Sequence, residues 1–144
     1  MNKGMNVNVT TGESDNYETP PWLFRALDSE FGFTIDAVAS AQNTKCGLFI
    51  SDIDAATYTV LNGEAVVFCN PPYSNIMPFV KKALYGDAQV WVLLLPVRTD
   101  NDWFRLLSML KRCEWRWFRK RIKFYMEGEE MGSPRFPSVM VVVR

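Results

Sequence analysis

The apolar run Ala65-Val66-Val67-Phe68-Cys69, stopped by Asn70-Pro71-Pro72-Tyr73, constrains this chain more than any other stretch. An apolar run closed by a breaker reads as a buried strand. Two successive prolines remove two backbone donors and fix two φ angles. The residue before each proline is held in extended geometry. The product is a stiff turn at a strand's carboxyl end, the place where open α/β sheets bind ligands. The turn presents the Asn70 side chain, backbone carbonyls and the ring of Tyr73. An Asn carbonyl oxygen and a proline-loop carbonyl together accept both hydrogens of a planar amino group. Tyr73 can stack on the ring that bears it. The plain alternative is a strand followed by a proline turn, since Asn-Pro is a common turn signal.

The flanking sequence supplies a context of alternating elements. Thr19-Pro20-Pro21 opens a helix, with Thr19 as the N-cap and proline in the first turn. Trp22, Leu23, Ala26, Leu27 and Phe31 follow at helical spacing, and Gly32 ends the helix. Phe33 to Val38 reads as a strand running into a turn, Ala39 to Lys45 as a loop or short helix, and Gly47 to Ile50 as a second strand. Asp52 to Gly63 is ambiguous. After the Asn-Pro turn, Asn75 to Tyr85 is a helix with Ile76, Phe79, Val80, Ala83 and Leu84 on one face. Gln89 to Leu95 is the strongest buried strand, and Asp100 to Leu110 a helix. Cys113 to Phe118, Ile122 to Tyr125 and Val139 to Val143 read as strands, with a Gly/Pro/acidic loop at Glu127 to Pro137. This order predicts an α/β fold: a mainly parallel sheet with helices on both faces. The late strands predict an antiparallel C-terminal edge.

At 144 residues, one domain is expected, preceded by a loose polar tail over residues 1–16. No apolar run approaches the ~20 residues of a membrane helix, and the N-terminus lacks a signal-peptide pattern. The expected location is therefore intracellular. The chain contains no histidine, which excludes His-dependent triads and His-based metal sites. Cys46, Cys69 and Cys113 fit no zinc spacing and read as reduced thiols, so no metal is expected.

A formal net charge of zero conceals an asymmetry. Residues 1–70 hold three basic and nine acidic groups, and residues 71–144 hold thirteen basic and seven acidic. Such a split points to a polyanionic partner for the C-terminal half. Lys111 to Tyr125 carries seven basic residues, one acid and five aromatics. That pattern suits a phosphate backbone with unstacked bases. It equally suits an amphipathic strand pair with rings in the core and solvated cations.

Four blocks in this order resemble one family, the phage-type DNA N6-adenine methyltransferases, over Tyr17 to Val143. They are Tyr17-Glu18-Thr19-Pro20 with Leu23-Phe24, Phe33 to Ser40, Asn70-Pro71-Pro72-Tyr73-Ser74, and a C-terminal part. That last part comprises Leu95 to Asp100 with Trp103-Phe104, Arg121 to Phe124, and Pro134 to Ser138. The resemblance implies a Rossmann-like class I methyltransferase sheet and S-adenosylmethionine as methyl donor. It implies methyl transfer to the exocyclic amino group of an adenine flipped out of double-stranded DNA, inside a bacterial or phage-infected cell. By the same resemblance, Asn70, Pro71, Pro72 and Tyr73 are catalytic. Thr19, Pro20, Asp36, Ala39, Asp54 and Asn70 line the cofactor, with Asp52 competing with Asp54. From their charge, Arg98, Arg119, Lys120 and Arg121 are candidate phosphate contacts, with Arg98 equally suited to a structural ion pair; a monomer or weak dimer is expected. One departure stands out. The turn Asp36-Ala37-Val38-Ala39-Ser40 lacks the glycine that many methyltransferases use to let backbone approach the cofactor. Rival readings are an amino-methyltransferase acting on RNA or protein, and a nucleic-acid-binding domain of this fold without catalysis.

Overall fold

A computed structural model gives the fold. It describes residues 14–37, 48–50 and 63–144, with 48–50 described in backbone only. Three α-helices lie among the described residues: α1 (Pro21–Phe31), α2 (Met77–Tyr85) and α3 (Asp102–Ser108). The strands are β1 (Ile35–Ala37), β2 (Leu48–Ile50), β3 (Val66–Cys69), β4 (Val90–Pro96), β5 (Cys113–Trp117), β6 (Tyr125–Met126), β7 (Glu129–Glu130) and β8 (Ser138–Val143). Six of them form one sheet in the order β2-β1-β3-β4-β8-β5. β1 pairs in parallel with β2 and β3, and β3 with β4; β8 runs antiparallel to both β4 and β5.

The expected antiparallel C-terminal edge is present: β8 and β5 end the sheet through antiparallel pairings. The reversed strand is β8, and it lies inside the sheet. The outer strand β5 runs in the same direction as β4, because both are antiparallel to β8. Burial explains the choice. All of β8, Ser-Val-Met-Val-Val-Val, is buried, and a strand apolar on both faces needs neighbours on both sides. β5, Cys-Glu-Trp-Arg-Trp, alternates, and its charged residues blunt an edge. β4 is buried along its full length, as its seven-residue apolar run predicts.

Successive residues of β5 reach helices on opposite sides of the sheet. Trp115 packs on Phe104 of α3 with ring centroids 4.9 Å apart. Arg116 pairs with Glu30 of α1 at 2.6 Å. Because strand side chains alternate, α1 and α3 cover opposite faces. Among the described residues no helix is long and apolar enough to cross a membrane.

Two other expectations shift. Pro20, not Thr19, is the N-cap of α1, and no side chain caps that end. The helix relies on Pro21 in its first turn and on Gly32, whose φ of 67° closes the C-terminus. Ile122 to Tyr125 is not a strand. The strand there is Tyr125–Met126, paired with Glu129–Glu130 in a hairpin whose turn and second strand fall in the stretch expected as loop. Its two-residue turn has φ of 52° at Glu127 and 81° at Gly128, the positive pair that suits the twist of a tight hairpin.

Arg116 also bonds Glu114 at 2.6 Å, and Arg144 bonds Glu114 at 2.9 Å, so a four-residue network ties β5, α1 and the C-terminal residue together. Hydrogen bonds from Arg116 hold both Glu30 and Glu114 below the usual carboxylate range. These side chains are between a third and just over half exposed, so each pair contributes under about 1 kcal/mol. A depressed carboxylate contributes its stability above the unfolded value near pH ~4.3 and loses it as pH falls through the folded value. Glu30→Gln is thus expected to lower the melting temperature by no more than about 2–4 °C at pH 7. Melting curves should show that gap closing in acid below pH ~4 and in molar salt.

Candidate active site

The register of β1 with β3 builds the site floor. Ala37 pairs with Cys69 and Asp36 with Phe68, so the carboxyl ends of the two strands lie side by side. Asn70 leaves the sheet at that edge, and buried Asp36 stands one strand away. Ala39 and Asp54, with Ser40 and Asp52, lie outside the described residues.

The Asn70 amide is fixed in orientation. Its Nδ2 donates to the Tyr17 carbonyl at 3.0 Å and to Thr19 Oγ1 at 3.2 Å. A carbonyl only accepts, so Tyr17 forces the NH2 to its side and turns Oδ1 away. Neither Asn70 Oδ1 nor the Pro71 carbonyl receives a hydrogen bond from any described residue. Thr19 is therefore buried for the site rather than for helix capping: its hydroxyl is a stop for Asn70. The segment carrying it is pinned by paired backbone bonds between Glu18 and Tyr125.

The proline turn is held from three directions. Asn75 N–H closes it on the Pro72 carbonyl at 2.9 Å. Arg98 Nη1 donates to the Tyr73 carbonyl at 3.0 Å. The Asp15 carboxylate accepts from Ser74 N at 2.9 Å and from Ser74 Oγ at 2.5 Å. Asp15 and the carbonyl of Tyr17 are site components that sequence reasoning missed. Asp15 falls in the stretch expected as tail, and a polar residue before the first apolar period carries no positional signal. Asp15→Ala is expected to lower turnover about 10- to 100-fold by loosening the turn. Asp15→Asn can accept from Ser74 N and donate to its Oγ, so it should restore most of the rate. Steady-state turnover of the two variants, with melting curves beside them, checks this.

Tyr73 sits differently from expectation. Its ring is only 3% exposed, with Phe124 and Phe136 at 6.1 and 5.5 Å in edge contacts. Its hydroxyl donates to the Leu94 carbonyl at 3.3 Å. Burial pushes its pKa well up, although Arg98 pulls the other way. In this arrangement the ring supports the turn and is not open to a stacked base. Burial, with Asp36 adding to it, likewise raises the Cys69 thiol, which is inert as a nucleophile. Among the described residues no group of three or more His, Cys, Asp or Glu is placed to hold a metal.

The geometry can be set beside known proteins. The family model for DNA N-6-adenine-methyltransferase (Dam) matches residues 6–144. The chain belongs to the Dam family. A DNA N-6-adenine-methyltransferase of Haemophilus phage HP1 (strain HP1c1) is 32% identical over 142 residues, covering 94% of this chain and 82% of that protein. One of Escherichia phage T1 is 30% identical over 102 residues, covering 68% of this chain and 42% of that protein. The Dam family is one of adenine-specific DNA methyltransferases, so this chain is an enzyme of that class.

Within this Dam-family fold the expected phosphate contacts divide. Arg98 is half-buried, bonded to the Tyr73 carbonyl, and its guanidinium lies 5.9 Å from the ring centroids of Tyr73 and Phe136. It braces the motif turn instead of meeting phosphate at the surface. Arg121 donates to the Pro134 carbonyl at 2.9 Å and ties down the following loop. Arg119 and Lys120 are exposed and bond no described residue. The basic-aromatic segment divides into two structurally different halves. Cys113–Trp117 is the amphipathic edge strand, and Phe118 to Lys123 borders an open cleft.

Proposed function

We propose that the chain transfers a methyl group from S-adenosylmethionine to the N6 amino nitrogen of an adenine turned out of duplex DNA. The observation that carries this reading is the fixed Asn70 amide. With Nδ2 bound by Tyr17 and Thr19, Oδ1 and the Pro71 carbonyl form a pair of acceptors for the two hydrogens of a planar amino group. Accepting both draws electron density onto the nitrogen and turns its lone pair out of the ring plane. The target atom lies inside the duplex, so the base must leave the stack to reach these acceptors. The rest is alignment, which supplies most of the rate in a displacement without a covalent enzyme intermediate.

S-adenosylmethionine supplies the methyl group when bound. The described residues fit such a ligand: the buried Asp36 carboxylate and the Thr19 hydroxyl suit its cationic methionine end, with buried Pro20 beside them. Parallel strands β2, β1, β3 and β4 followed by one inserted reversed strand support the Rossmann-like class I reading of the sheet. Arg119 and Lys120, exposed and bonded to no described residue, are suited to the DNA backbone. Arg98, Arg121 and Tyr73 act as braces.

The test is transfer of labelled methyl from S-adenosylmethionine to unmethylated DNA, with nucleoside analysis and Asn70→Ala as control. N6-methyladenine that depends on Asn70 is expected. Folded protein that yields none on DNA rejects the reading.

A further inference from the structure

An open cleft of about 670 Å³ is lined by Trp22, Phe118, Arg119, Lys120, Arg121, Ile122, Lys123 and Glu130. Its size is ordinary for a small-ligand site. Its lining is not: two aromatic rings face four cations and a single acid. Trp22 sits in the first turn of α1 and is 50% exposed, although it is among the largest apolar side chains of the chain. Arg119, Lys120 and Lys123 bond no described residue, in contrast to Arg98, Arg112, Arg116, Arg121 and Arg144. Three exposed cations around a half-exposed indole leave charge and stacking surface unused by the described residues.

The cleft is built on the chain segments that flank the site. Trp22 is two residues beyond Pro20, and Lys123 precedes Phe124, which stacks on Tyr17 at 5.1 Å and meets Tyr73 at 6.1 Å. Both walls are thus extensions of the segments that orient Asn70. A strand whose adenine reaches Asn70 has its neighbouring nucleotides displaced from ordinary stacking. Their bases need a π-surface and their phosphates need cations. Every base has a π-face, so such a surface works without reading sequence.

We propose that this cleft is a subsite for an unstacked nucleotide flanking the target. Its base lies on Trp22, with Phe118 as the opposing wall, and its phosphates lie on Arg119, Lys120 and Lys123. This rests on the DNA-methyltransferase reading, yet it has its own test. An acidic peptide would satisfy the cations but leave the rings unused.

The experiment is binding of a fluorescent oligothymidylate to the full chain across a salt series. It contains no adenine, so neither methyl transfer nor the amino-group acceptors enter the readout. The parent is expected to bind, and Trp22→Ala to weaken binding about 5- to 100-fold, the range for loss of one base stack. Trp22→Phe should restore most of the affinity. Lys120→Glu, at an exposed position where substitutions change stability little, should weaken binding and reduce the salt slope by about 0.7 or more. Parent-level binding in both Trp22→Ala and Lys120→Glu overturns the subsite. So does equal affinity of the parent for polyglutamate at the same salt, which would reduce the cleft to a charge patch. Failure of methyl transfer to DNA, with oligothymidylate binding intact and Trp22-dependent, would reject the enzymatic reading instead and leave a nucleic-acid cleft.

Discussion

Asn70→Ala is expected to reduce methyl transfer by at least about 10²–10³-fold, the loss typical of removing one preorganised electrostatic partner of a reacting group. The physical reason is double. The substitution deletes the Oδ1 acceptor, and it also deletes the Nδ2 strut to Tyr17 and Thr19 that orients the acceptor. The Pro71 carbonyl alone can take one amino hydrogen, which leaves the amino group conjugated with its ring. Affinity for DNA should change little, since the neutral Asn70 amide brings no charge to a phosphate. Stability should fall by about 1–3 kcal/mol, because the Tyr17 carbonyl and buried Thr19 hydroxyl lose a donor. Asn70→Gln is the sharper variant. It keeps the amide but moves it by one methylene, beyond the tolerance of an aligned displacement. Incorporated label and melting curves, measured together for both variants, decide the point. Transfer near the parent rate in either folded variant rejects the assigned role.

The strands that place Asn70 were legible because their residues leave little choice. β3 and β4 are apolar on both faces, and only a sheet covered on both sides accommodates that. The Asn-Pro-Pro turn was legible because proline chemistry is local. β8 was legible as a strand but not as an interior one. Sheet order is set by which strands need two neighbours, and that comparison between β8 and β5 is a tertiary fact. The same limit applied to Thr19. Thr before Pro-Pro is a good capping signal, yet its hydroxyl is better placed against Asn70, 51 residues away. Local propensity lost to a long-range bond.

The supporting shell was the least legible part. Arg98 and Arg121 read as DNA contacts because a sequence shows charge and not its partners. Backbone carbonyls of Tyr73 and Pro134 claim them in the fold. Trp22 read as one more apolar position of an amphipathic helix, and only the fold leaves it half exposed beside the basic turn. The Glu127-Gly128 hairpin lay inside a stretch whose composition read as loop, although a Gly in a two-residue turn was its available signal.

Tyr73 separates a support from a stacking platform. Tyr73→Ala removes a fully packed ring between Phe124, Phe136 and the Arg98 guanidinium, and is expected to destabilise the protein by about 3–5 kcal/mol through the cavity it leaves. For a chain of this size that lowers the melting temperature by roughly 6–20 °C. Tyr73→Phe loses only the 3.3 Å bond to the Leu94 carbonyl, so about 1 kcal/mol and little activity should go with it. Tyr73→Leu decides between roles. It keeps apolar bulk in the core but offers no π-face. If the ring braces the turn, loss of activity should track loss of stability across the Ala, Leu and Phe variants, and assays well below each melting midpoint should recover most of the rate. If the ring leaves its pocket to stack on the target base, Tyr73→Leu should lose transfer at a near-parent melting temperature. The buried hydroxyl, its proton affinity raised by burial, also predicts no Tyr73 titration in the rate profile between pH ~7 and ~10. A rate loss in Tyr73→Leu without a matching loss of stability would return the ring to the substrate side of the site.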